Sequence, residues 1–590
     1  MRYLFLAVLL CVLNPAPGPA DENPTGDLWY GTMDVGTRLF RFRIEPVPEA
    51  DNPTGRQLVS LDEGGQIFPL DNFLLDDAEL KFGLKLTKAV FSGRITDSGK
   101  TSTGVWKQSG QEFDLILHRV ATAPADRPDE IWTGTMNALF QKLTMRFRMY
   151  REDDDSENIY FDSVSQKSGG FKAMRTTKGD EWTINVASIG GVFEGVLNAE
   201  KTELKGTWTQ GGAKLDLVLT QEKSLREEVV KPPVRPQTPV APFPYRIEEV
   251  SFRNEVDGVQ LAGTLTIPAT NQPCPAVVLI SGSGPQDRDE TLLDHKPFWV
   301  IADHLSRHGI AVLRFDDRGT GASKGDFSAA NSENFANDVE AAFDHLTRDT
   351  RFAKNAIGLL GHSEGGLIAP MVAARRNDVA FAILLAGTGV NGKEILLSQG
   401  QLILRAEGVT DENLLNIQRM TQLAMIDTVL EAAAAATQDE IVADAMQRLT
   451  ESLPKESLPG DNLKATVSAG IQRMNSPWFR FFLKYEPATL LQQVKCPVLA
   501  LNGEKDVQVD PRLNLPAIHA ALEKGGNTRF RTVEFPALNH LFQSCTTGGL
   551  SEYQTIEETI SPTVLQTITD WITDVTTADS SQKCNTINNC

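Results

Sequence analysis

The stretch "AIGLLGHSEGGLIAPMVAARR", residues 356 to 376, decides how the second half of the chain folds. An apolar run leads into a G-x-S-x-G pentapeptide centred on Ser363, and a segment of helical composition follows it. A buried strand that turns sharply into a helix exposes such a serine, because the two glycines carry no side chains that would clash. The pattern therefore predicts a reactive serine at a strand-to-helix turn.

A second stretch, "GASKG" at residues 321 to 325, fits the same pattern and has Ser323 at its centre. The residues that follow, "KGDFSAANSEN", are polar and show no helical periodicity until about Glu333. Because a nucleophile turn needs a helix directly behind the serine, we predict that Ser323 lies in a glycine-rich loop. Ser363 is then the candidate nucleophile.

Short apolar runs alternate with amphipathic segments from Tyr245 onward, which indicates an α/β domain. The apolar runs include "PAVVLISG", "IAVLRFDD", "FAILLAG", "CPVLALNG" and "FRTVEFP". Continuous apolar runs that are separated by helices are typical of a parallel sheet buried on both faces. We therefore expect a parallel sheet with helices on both sides.

A helical stretch rich in Leu, Met and Ala interrupts this alternation at about residues 390 to 487. Its position predicts a cap over the carboxyl-terminal edge of the sheet, where open α/β sheets bind ligands. Its methionines either line a pocket for an acyl group or, as is more common at helical spacing, form the core of the cap. These methionines are Met420, Met425, Met446 and Met474.

A serine nucleophile needs a histidine base, which comes last in the order Ser, Asp or Glu, His. Only His519 and His540, of eight histidines, follow the "ALNG" strand. His519 lies in "LPAIHAALEK", a predicted helix, whereas His540 lies in "FPALNHLF", a loop just beyond the last predicted strand. His540 is therefore the candidate base. His362, beside the nucleophile, is expected to point away from it in a structural role.

The acid of such a triad accepts a hydrogen bond from Nδ1 of the histidine. The loop "NGEKDVQVDP" offers Glu504, Asp506 and Asp510. Asp510 precedes Pro511 and is explained as the cap of a helix with proline at its first position. Glu504 comes too close to the strand end, which leaves Asp506 as the candidate acid.

An oxyanion hole needs two backbone N–H donors. One is expected from Glu364, the residue after the nucleophile, and the other from Ser283 in "SGSGPQDRDE", the loop after the first apolar run. The "GSG" of this loop is an incomplete phosphate-binding pattern, and no Walker lysine follows it. The spacing of the cysteines suits no zinc site, and we expect neither a cofactor nor a metal.

Residues 245 to 577 resemble the secreted α/β hydrolases of the dienelactone-hydrolase-like esterase group. The motifs "SGSGPQDRD", "DDRGTGAS", "GHSEGG", "NGEKDVQV" and "NHLF" occur in the order of that family. The resemblance implies an α/β-hydrolase fold with a helical cap insertion. It also implies that the D-x-R-G-x-G-x-S segment, which contains Ser323, is a structural loop beside the active site.

The first third of the chain contains an internal repeat. Trp106 corresponds to Trp208 and Gly93 to Gly195, an offset of 102 residues in both cases. Alternating apolar and polar residues predict antiparallel strands, and hence two tandem β-units at residues 21 to 122 and 123 to 222. Both units resemble the β-rich domain that precedes many secreted bacterial α/β hydrolases, which is either a structural prefix or a binding module.

The remaining segments are short. Residues 1 to 20, "MRYLFLAVLLCVLNPAPGPA", have the positive start, the short apolar core and the small final residues of a secretory signal, so we expect an exported protein in a periplasmic or extracellular location. A lipoprotein cut at Cys11 is disfavoured by the bulky residue before it. Residues 223 to 244 are proline-rich and predict a semi-rigid linker. Residues 578 to 590 form a polar tail.

The net charge of -20 argues against nucleic acid or an anionic membrane surface as a partner. No later segment has the length and apolarity of a membrane span, and the sequence leaves the oligomeric state open. The motifs predict a serine hydrolase that cleaves carboxylic esters of small molecules. The alternatives are a serine peptidase or aminoacyl hydrolase acting on short peptides, and a binding protein whose hydrolase domain is vestigial.

Overall fold

The computed structural model of the chain contains two compact units that divide near residue 232. The described residues are 28–47, 54–63, 66–76, 78–84, 89–108, 111–120, 128–138, 141–151, 156–166, 168–210, 213–222, 235–433, 436–453, 463–553 and 555–587. The expected signal segment, residues 1 to 20, and the first part of the expected linker, 223 to 234, lie outside this range.

The first unit consists of antiparallel strands, which confirms the expectation from the alternating pattern. Its first nine strands are β1 Leu28–Asp34, β2 Leu39–Pro46, β3 Arg56–Ser60, β4 Gln66–Pro69, β5 Asp71–Leu75, β6 Glu79–Leu84, β7 Ala89–Thr96, β8 Thr101–Gln108 and β9 Gln111–Val120. Its last eight are β10 Glu130–Ala138, β11 Gln141–Arg151, β12 Glu157–Ser163, β13 Ser168–Lys178, β14 Glu181–Val186, β15 Gly191–Leu197, β16 Glu203–Gln210 and β17 Ala213–Glu222. The described strands β1 to β9 form one sheet, in the order β4-β3-β2-β1-β9-β8-β7-β6-β5, and β10 to β17 close into a barrel.

The sequence repeat corresponds to one core arrangement that is built twice. Phe91 lies opposite Trp106 between β7 and β8, and Phe193 lies opposite Trp208 between β15 and β16. All four side chains are buried. The repeated aromatic residues therefore form the cores of the two β-units.

The second unit contains a mixed sheet of eight described strands. They are β18 Tyr245–Asn254, β19 Val259–Pro268, β20 Cys274–Ile280, β21 Ala311–Phe315, β22 Phe352–His362, β23 Ala382–Leu385, β24 Val498–Gly503 and β25 Phe530–Phe535. The order is β18-β19-β21-β20-β22-β23-β24-β25, with β20 to β25 parallel and β18 and β19 antiparallel. The expected parallel sheet is thus confirmed, and the antiparallel hairpin at its edge is an addition that the sequence did not predict.

Helices cover both faces of this sheet, as expected. The described helices are α1 Pro297–Arg307, α2 Ser332–Thr347, α3 Gly365–Arg375, α4 Gly392–Ala406, α5 Glu412–Glu431, α6 Gln438–Ser452, α7 Leu463–Met474, α8 Pro477–Lys484, α9 Pro487–Leu491, α10 Pro511–Lys524 and α11 Pro562–Ile587. Side chains of α2, α3 and α10 bury one face, and side chains of α1 and α11 bury the other. None of the helices in the described residues is both long and apolar enough to cross a membrane.

The helical insertion lies between β23 and β24 and consists of α4 to α9. It has an apolar core of its own, in which Met425 and Met474 are buried and against which Met420 and Met446 pack. The four methionines therefore belong to the core of the cap, which was the more common of the two interpretations.

The two ends of the second unit are the proline-rich stretch before β18 and the expected polar tail, and both have contacts or structure beyond a simple linker and tail. Gln237, within the proline-rich stretch, accepts a hydrogen bond from the Thr559 amide at 2.6 Å and donates one to the Ile560 carbonyl at 2.8 Å. The later part of this stretch is therefore held against the domain. Helix α11 continues to Ile587 and includes most of the expected polar tail; residues 588 to 590 lie outside the described residues.

We expect Gly206→Ala to destabilise the first unit. A Cβ at this position would lie 2.1 Å from the Glu194 carbonyl oxygen, because β15 and β16 approach closely where Gly206 faces Gly195. Overpacking of this kind typically costs about 1–3 kcal/mol. Calorimetric unfolding should show a lower transition temperature. The control is Met174→Ala, at a side chain that is 73% exposed. Equal transition temperatures in the two variants would contradict the prediction.

Candidate active site

Ser363 lies on a tight turn between β22 and α3. Its φ of 53° is in the left-handed region that residues with side chains rarely adopt. A Cβ on Gly361 would lie 1.9 Å from the Gly365 carbonyl oxygen, and a Cβ on Gly365 would lie 2.1 Å from the carbonyl oxygen of Ile280. Both pentapeptide glycines are therefore required by the close approach of backbone to backbone.

His540 and Asp506 are brought together by the loops that follow β25 and β24. The Nδ1 atom of His540 lies 2.8 Å from Oδ2 of Asp506, and both side chains are buried. The other carboxylate oxygen of Asp506 accepts hydrogen bonds from the amides of Gln508 and Val509, each at 2.8 Å. The carboxylate is thus oriented by the backbone of its own loop and is directed at the imidazole.

The competing acids and the competing histidine have other contacts. Asp510 caps α10 by accepting the Arg512 amide at 3.0 Å, and Glu504 accepts the Ala537 amide at 2.9 Å. His519 is exposed on α10, with its ring against that of Phe530. None of these three is placed to form the contact that Asp506 makes with His540.

Ser323 is a buried loop residue. Its hydroxyl donates a hydrogen bond to the Asp316 carbonyl at 2.7 Å and accepts one from the Ala262 amide at 3.0 Å. Both bonds join its loop to neighbouring backbone. Its hydroxyl therefore connects β19 to the loop after β21.

A cavity of about 110 Å³ lies at the carboxyl-terminal edge of the sheet, and Ser363 and His540 both line it. Ser283 and Glu364, the predicted oxyanion donors, line the same cavity. The cap supplies much of the apolar wall through Ile395 and Leu396 of α4 and through Trp478 and Phe482 of α8. Four of the five predicted site residues thus surround one space, and the fifth, Asp506, contacts His540.

The Glu364 side chain connects the nucleophile turn to the cap. Its Oε1 accepts a hydrogen bond from the Ser332 hydroxyl at 2.6 Å and another from Nε1 of Trp478 at 2.7 Å. Burial raises the pKa of this carboxyl, and hydrogen bonds from Ser332, Trp478 and Ser283 offset only part of that effect. A single buried oxygen therefore joins α2, the turn and the cap helix α8.

The loop 281–290 after β20 is held by carboxylates of the "DDRGTGAS" segment. Asp317 accepts the Ser281 hydroxyl at 2.6 Å and the Gln286 amide at 2.9 Å. Burial raises the pKa of Asp317 well above its ordinary value. Asp316 accepts the backbone amide of Arg288 at 2.9 Å and pairs with its guanidinium at 2.8 Å. This segment thus shapes the loop that carries Ser283.

His362, for which the sequence predicts a structural role directed away from Ser363, lies among the residues of the site. It lines the same cavity, and its ring centroid lies 4.8 Å from that of His540. Sequence reasoning also missed Glu290 and Trp478, which contact His362 and Glu364 respectively. A glutamate in a polar loop and a tryptophan in a cap helix carry no local pattern that would indicate such contacts.

Part of the second unit is similar in sequence to known proteins. A family model described as X-Pro dipeptidyl-peptidase (S15 family) matches residues 257–530. Esterase EstD of Thermotoga maritima is 26% identical over 288 residues, which are 48% of this chain and 58% of the esterase. The match thus spans less than two thirds of that relative.

Two solved structures match part of the chain. The α/β hydrolase GrgF from a Penicillium species is 20% identical, and the match covers 50% of this chain and 91% of that one with a TM-score of 0.31. Est1E of Butyrivibrio proteoclasticus, solved with ferulic acid, is 16% identical over 56% of this chain and all of the other, with a TM-score of 0.32.

The second unit is an α/β-hydrolase domain with a helical cap, preceded by two antiparallel β-units. Its sequence is similar both to S15 peptidases and to an esterase.

We expect Glu364→Gln to change how stability depends on pH. A carboxyl whose pKa is raised by folding stabilises the fold at low pH, and this contribution is lost as the pH rises through the folded-state pKa. Glutamine keeps the oxygen that Ser332 and Trp478 both contact and has no charge to bury. The urea midpoint of the variant, relative to the wild type, should therefore rise between pH 4 and pH 8.

The control for this measurement is Glu523→Gln, at an exposed position of α10. Its midpoint difference from the wild type should be the same at both pH values. The prediction would be contradicted if the difference in urea midpoint between Glu364→Gln and the wild type stayed constant or fell from pH 4 to pH 8.

Proposed function

We propose that the protein hydrolyses carboxylic esters with small acyl groups, with Ser363 as nucleophile, His540 as base and Asp506 as the acid that orients it. The observation that supports this most directly is the 2.8 Å contact between His540 and Asp506 beside a cavity that Ser363 also lines. An imidazole paired with an acid and a strained serine lining the same cavity as that imidazole are the components of an activated nucleophile.

In the proposed reaction, His540 takes the proton of the Ser363 hydroxyl as the serine oxygen attacks the ester carbonyl. Asp506 accepts the Nδ1 hydrogen, which leaves Nε2 as the base and stabilises the imidazolium that forms. The backbone amides of Glu364 and Ser283 stabilise the oxyanion of the tetrahedral intermediate. His540 then protonates the leaving alcohol, and water releases the acyl group by the same steps.

The size and walls of the cavity support a small, partly apolar substrate. Its volume of about 110 Å³ is small beside the roughly 300–1,000 Å³ of pockets for drug-sized ligands. Trp478 and Phe482 stack with their ring planes 7° apart and form a rigid part of the wall. A short acyl chain fits this space better than a long one.

The second candidate function is hydrolysis of peptide bonds, which the S15 family match favours. A peptide with a free amino terminus is cationic, and a buried cation needs an anionic partner. The carboxylates lining the cavity, among the described residues, are Glu290 and Glu364. Glu290 already bonds His362 and the Gly282 amide, and Glu364 bonds Ser332 and Trp478. Because both carboxylates already have hydrogen-bond partners, the cavity favours a neutral ester over a cationic peptide as substrate.

Ser363→Ala should abolish both labelling by a fluorophosphonate and hydrolysis of p-nitrophenyl butyrate, because no other hydroxyl takes the place of the nucleophile. The loss of kcat should be about 10⁴-fold or more. The measurements are gel fluorescence of the labelled protein and release of p-nitrophenol.

Ser323→Ala is the matched control for that experiment. It removes two buried hydrogen bonds and so lowers stability by about 1–3 kcal/mol, yet folded protein should still be labelled. Labelling of the Ser363→Ala protein, or its loss in folded Ser323→Ala protein, would overturn the assignment of the nucleophile.

The substrate class can be tested with a panel of p-nitrophenyl acetate, butyrate and octanoate and an X-Pro p-nitroanilide. We expect kcat/KM for butyrate to exceed that for octanoate by about tenfold, with no turnover of the anilide. Phe482→Ala should raise the relative rate on octanoate, because it removes part of the cavity wall. Phe481→Ala, at a neighbouring ring that packs on the sheet core instead, should not. A higher rate on the anilide than on every ester would favour the peptidase.

A further inference from the structure

The His362 imidazole is buried between two hydrogen-bond acceptors. Its Nδ1 lies 3.0 Å from Oε1 of Glu290, and its Nε2 lies 3.1 Å from the backbone carbonyl oxygen of His540. The side chain is 8% exposed and that of Glu290 is 7% exposed. Both ring nitrogens are thus used, and neither contact involves the triad side chains.

Both partners of His362 accept hydrogen bonds. A backbone carbonyl has no hydrogen to donate, and Oε1 of Glu290 already accepts the Gly282 amide at 2.7 Å. A neutral imidazole has a single N–H and can donate to only one of two acceptors, whereas an imidazolium donates from both nitrogens. With Glu290 ionised, the observed geometry therefore favours the doubly protonated ring.

We propose that His362 is an imidazolium, paired with the Glu290 carboxylate, and that this pair is a positioning device for the active site. It connects three segments: the loop 281–290 through the Gly282 amide, the nucleophile turn through His362 itself, and the His540 loop through its carbonyl. Its effect on catalysis rests on the function proposed above, whereas the charge state of the ring does not. His362 and Glu290 act through other residues and do not touch the reacting atoms.

The surrounding charges agree with this protonation state. The titratable groups that face His362 are Glu290, Asp506 and the His540 ring. Burial by itself lowers the pKa of His362, but the Glu290 carboxylate, the His540 carbonyl and Asp506 together raise it above the ordinary value. A histidine whose pKa is raised by folding contributes to the stability of the folded state. This contribution is complete at low pH and is lost as the pH rises through the folded-state pKa. We therefore expect the ion pair between His362 and Glu290 to be lost as the pH rises through the folded-state pKa of His362.

The backbone at Glu290 is consistent with a constrained position. Its φ of 51° lies in the left-handed region, which costs a residue with a side chain about 1 kcal/mol or more. The carboxylate compensates by accepting the Gly282 amide eight residues earlier in the chain and the His362 ring. The strained residue is thus the one whose carboxylate holds the loop 281–290 through Gly282 and His362.

His295 offers an internal contrast. It is also buried, but its Nδ1 lies 2.9 Å from the Thr559 hydroxyl and its Nε2 lies 3.0 Å from the amide nitrogen of Gln543. The oxygen of that amide accepts from Asn539, so the nitrogen faces the ring and can donate to it. Burial lowers the pKa of His295 to about 4. The same protein therefore contains one buried histidine with a donor partner and one with acceptors alone.

The direct test is nitrogen NMR of the full chain labelled with ¹⁵N-histidine, with the His362 signals assigned from their loss in His362→Gln. At pH 7 both ring nitrogens of His362 should show imidazolium shifts, and the proton should be lost only above the usual histidine range. His295 should remain neutral throughout. A neutral His362 ring at pH 7 in the wild type would overturn the proposal, and this measurement needs no variant of Glu290.

The functional test is Glu290→Gln, which keeps the shape and removes the charge. We expect the His362 titration midpoint to fall by about one pH unit or more, and the alkaline decline of kcat/KM for p-nitrophenyl butyrate to move down with it. Glu364→Gln, at a carboxylate that does not contact His362, should leave the NMR midpoint unchanged. An alkaline decline that does not move with the midpoint would refute the positioning role. Failure of Ser363 to be labelled by a fluorophosphonate would instead refute the proposed function and leave the ring measurement intact.

Discussion

The close packing of three backbone segments at the Ser363 turn is the constraint on which the second unit depends. Gly361 approaches Gly365, and Gly365 approaches the carbonyl of Ile280, at distances that leave no room for a methyl group. Ile280 is also the register partner of Gly361 in the parallel pair β20 and β22. The two strands must therefore end at the same level. Because parallel strands all end on one edge, the loops after β20, β22, β24 and β25 meet there, and these loops contain every predicted site residue.

Buried carboxylates then determine the shape of those loops. Asp317 holds Ser281 and the middle of the loop 281–290, and Glu290 holds its start. Asp506 holds the loop after β24, and Glu364 joins the turn to the cap. A buried charge is costly unless it is hydrogen-bonded, so each carboxylate favours only those loop conformations that bring donors to it. The cap adds the apolar side chains of Ile395, Leu396, Trp478 and Phe482 to the wall of the cavity.

The order of motifs along the chain predicted much of the site because topology turns sequence order into position. Ser363, Asp506 and His540 each follow a recognisable apolar strand, so their place at one edge could be inferred from the strands alone. Ser323 could be set aside because the helix behind it was missing. The partners of His362 could not be predicted, since a residue beside the nucleophile on a strained turn can face either way. Its direction depends on Glu290 and on the carbonyl of His540, which is 178 residues away.

The sequence by itself determined the elements: the Ser363 turn through its glycines and flanking apolar runs, the duplicated β-units through their repeated aromatic residues, and the inserted cap through its helical composition. These are local features, because periodicity and glycine content act over a few residues. Only the tertiary structure decided which carboxylate meets which donor, that Trp478 forms the cavity wall, and that the His362 ring lies between two acceptors. Such contacts join distant segments, and their energies depend on distances of a few ångströms that no local pattern encodes.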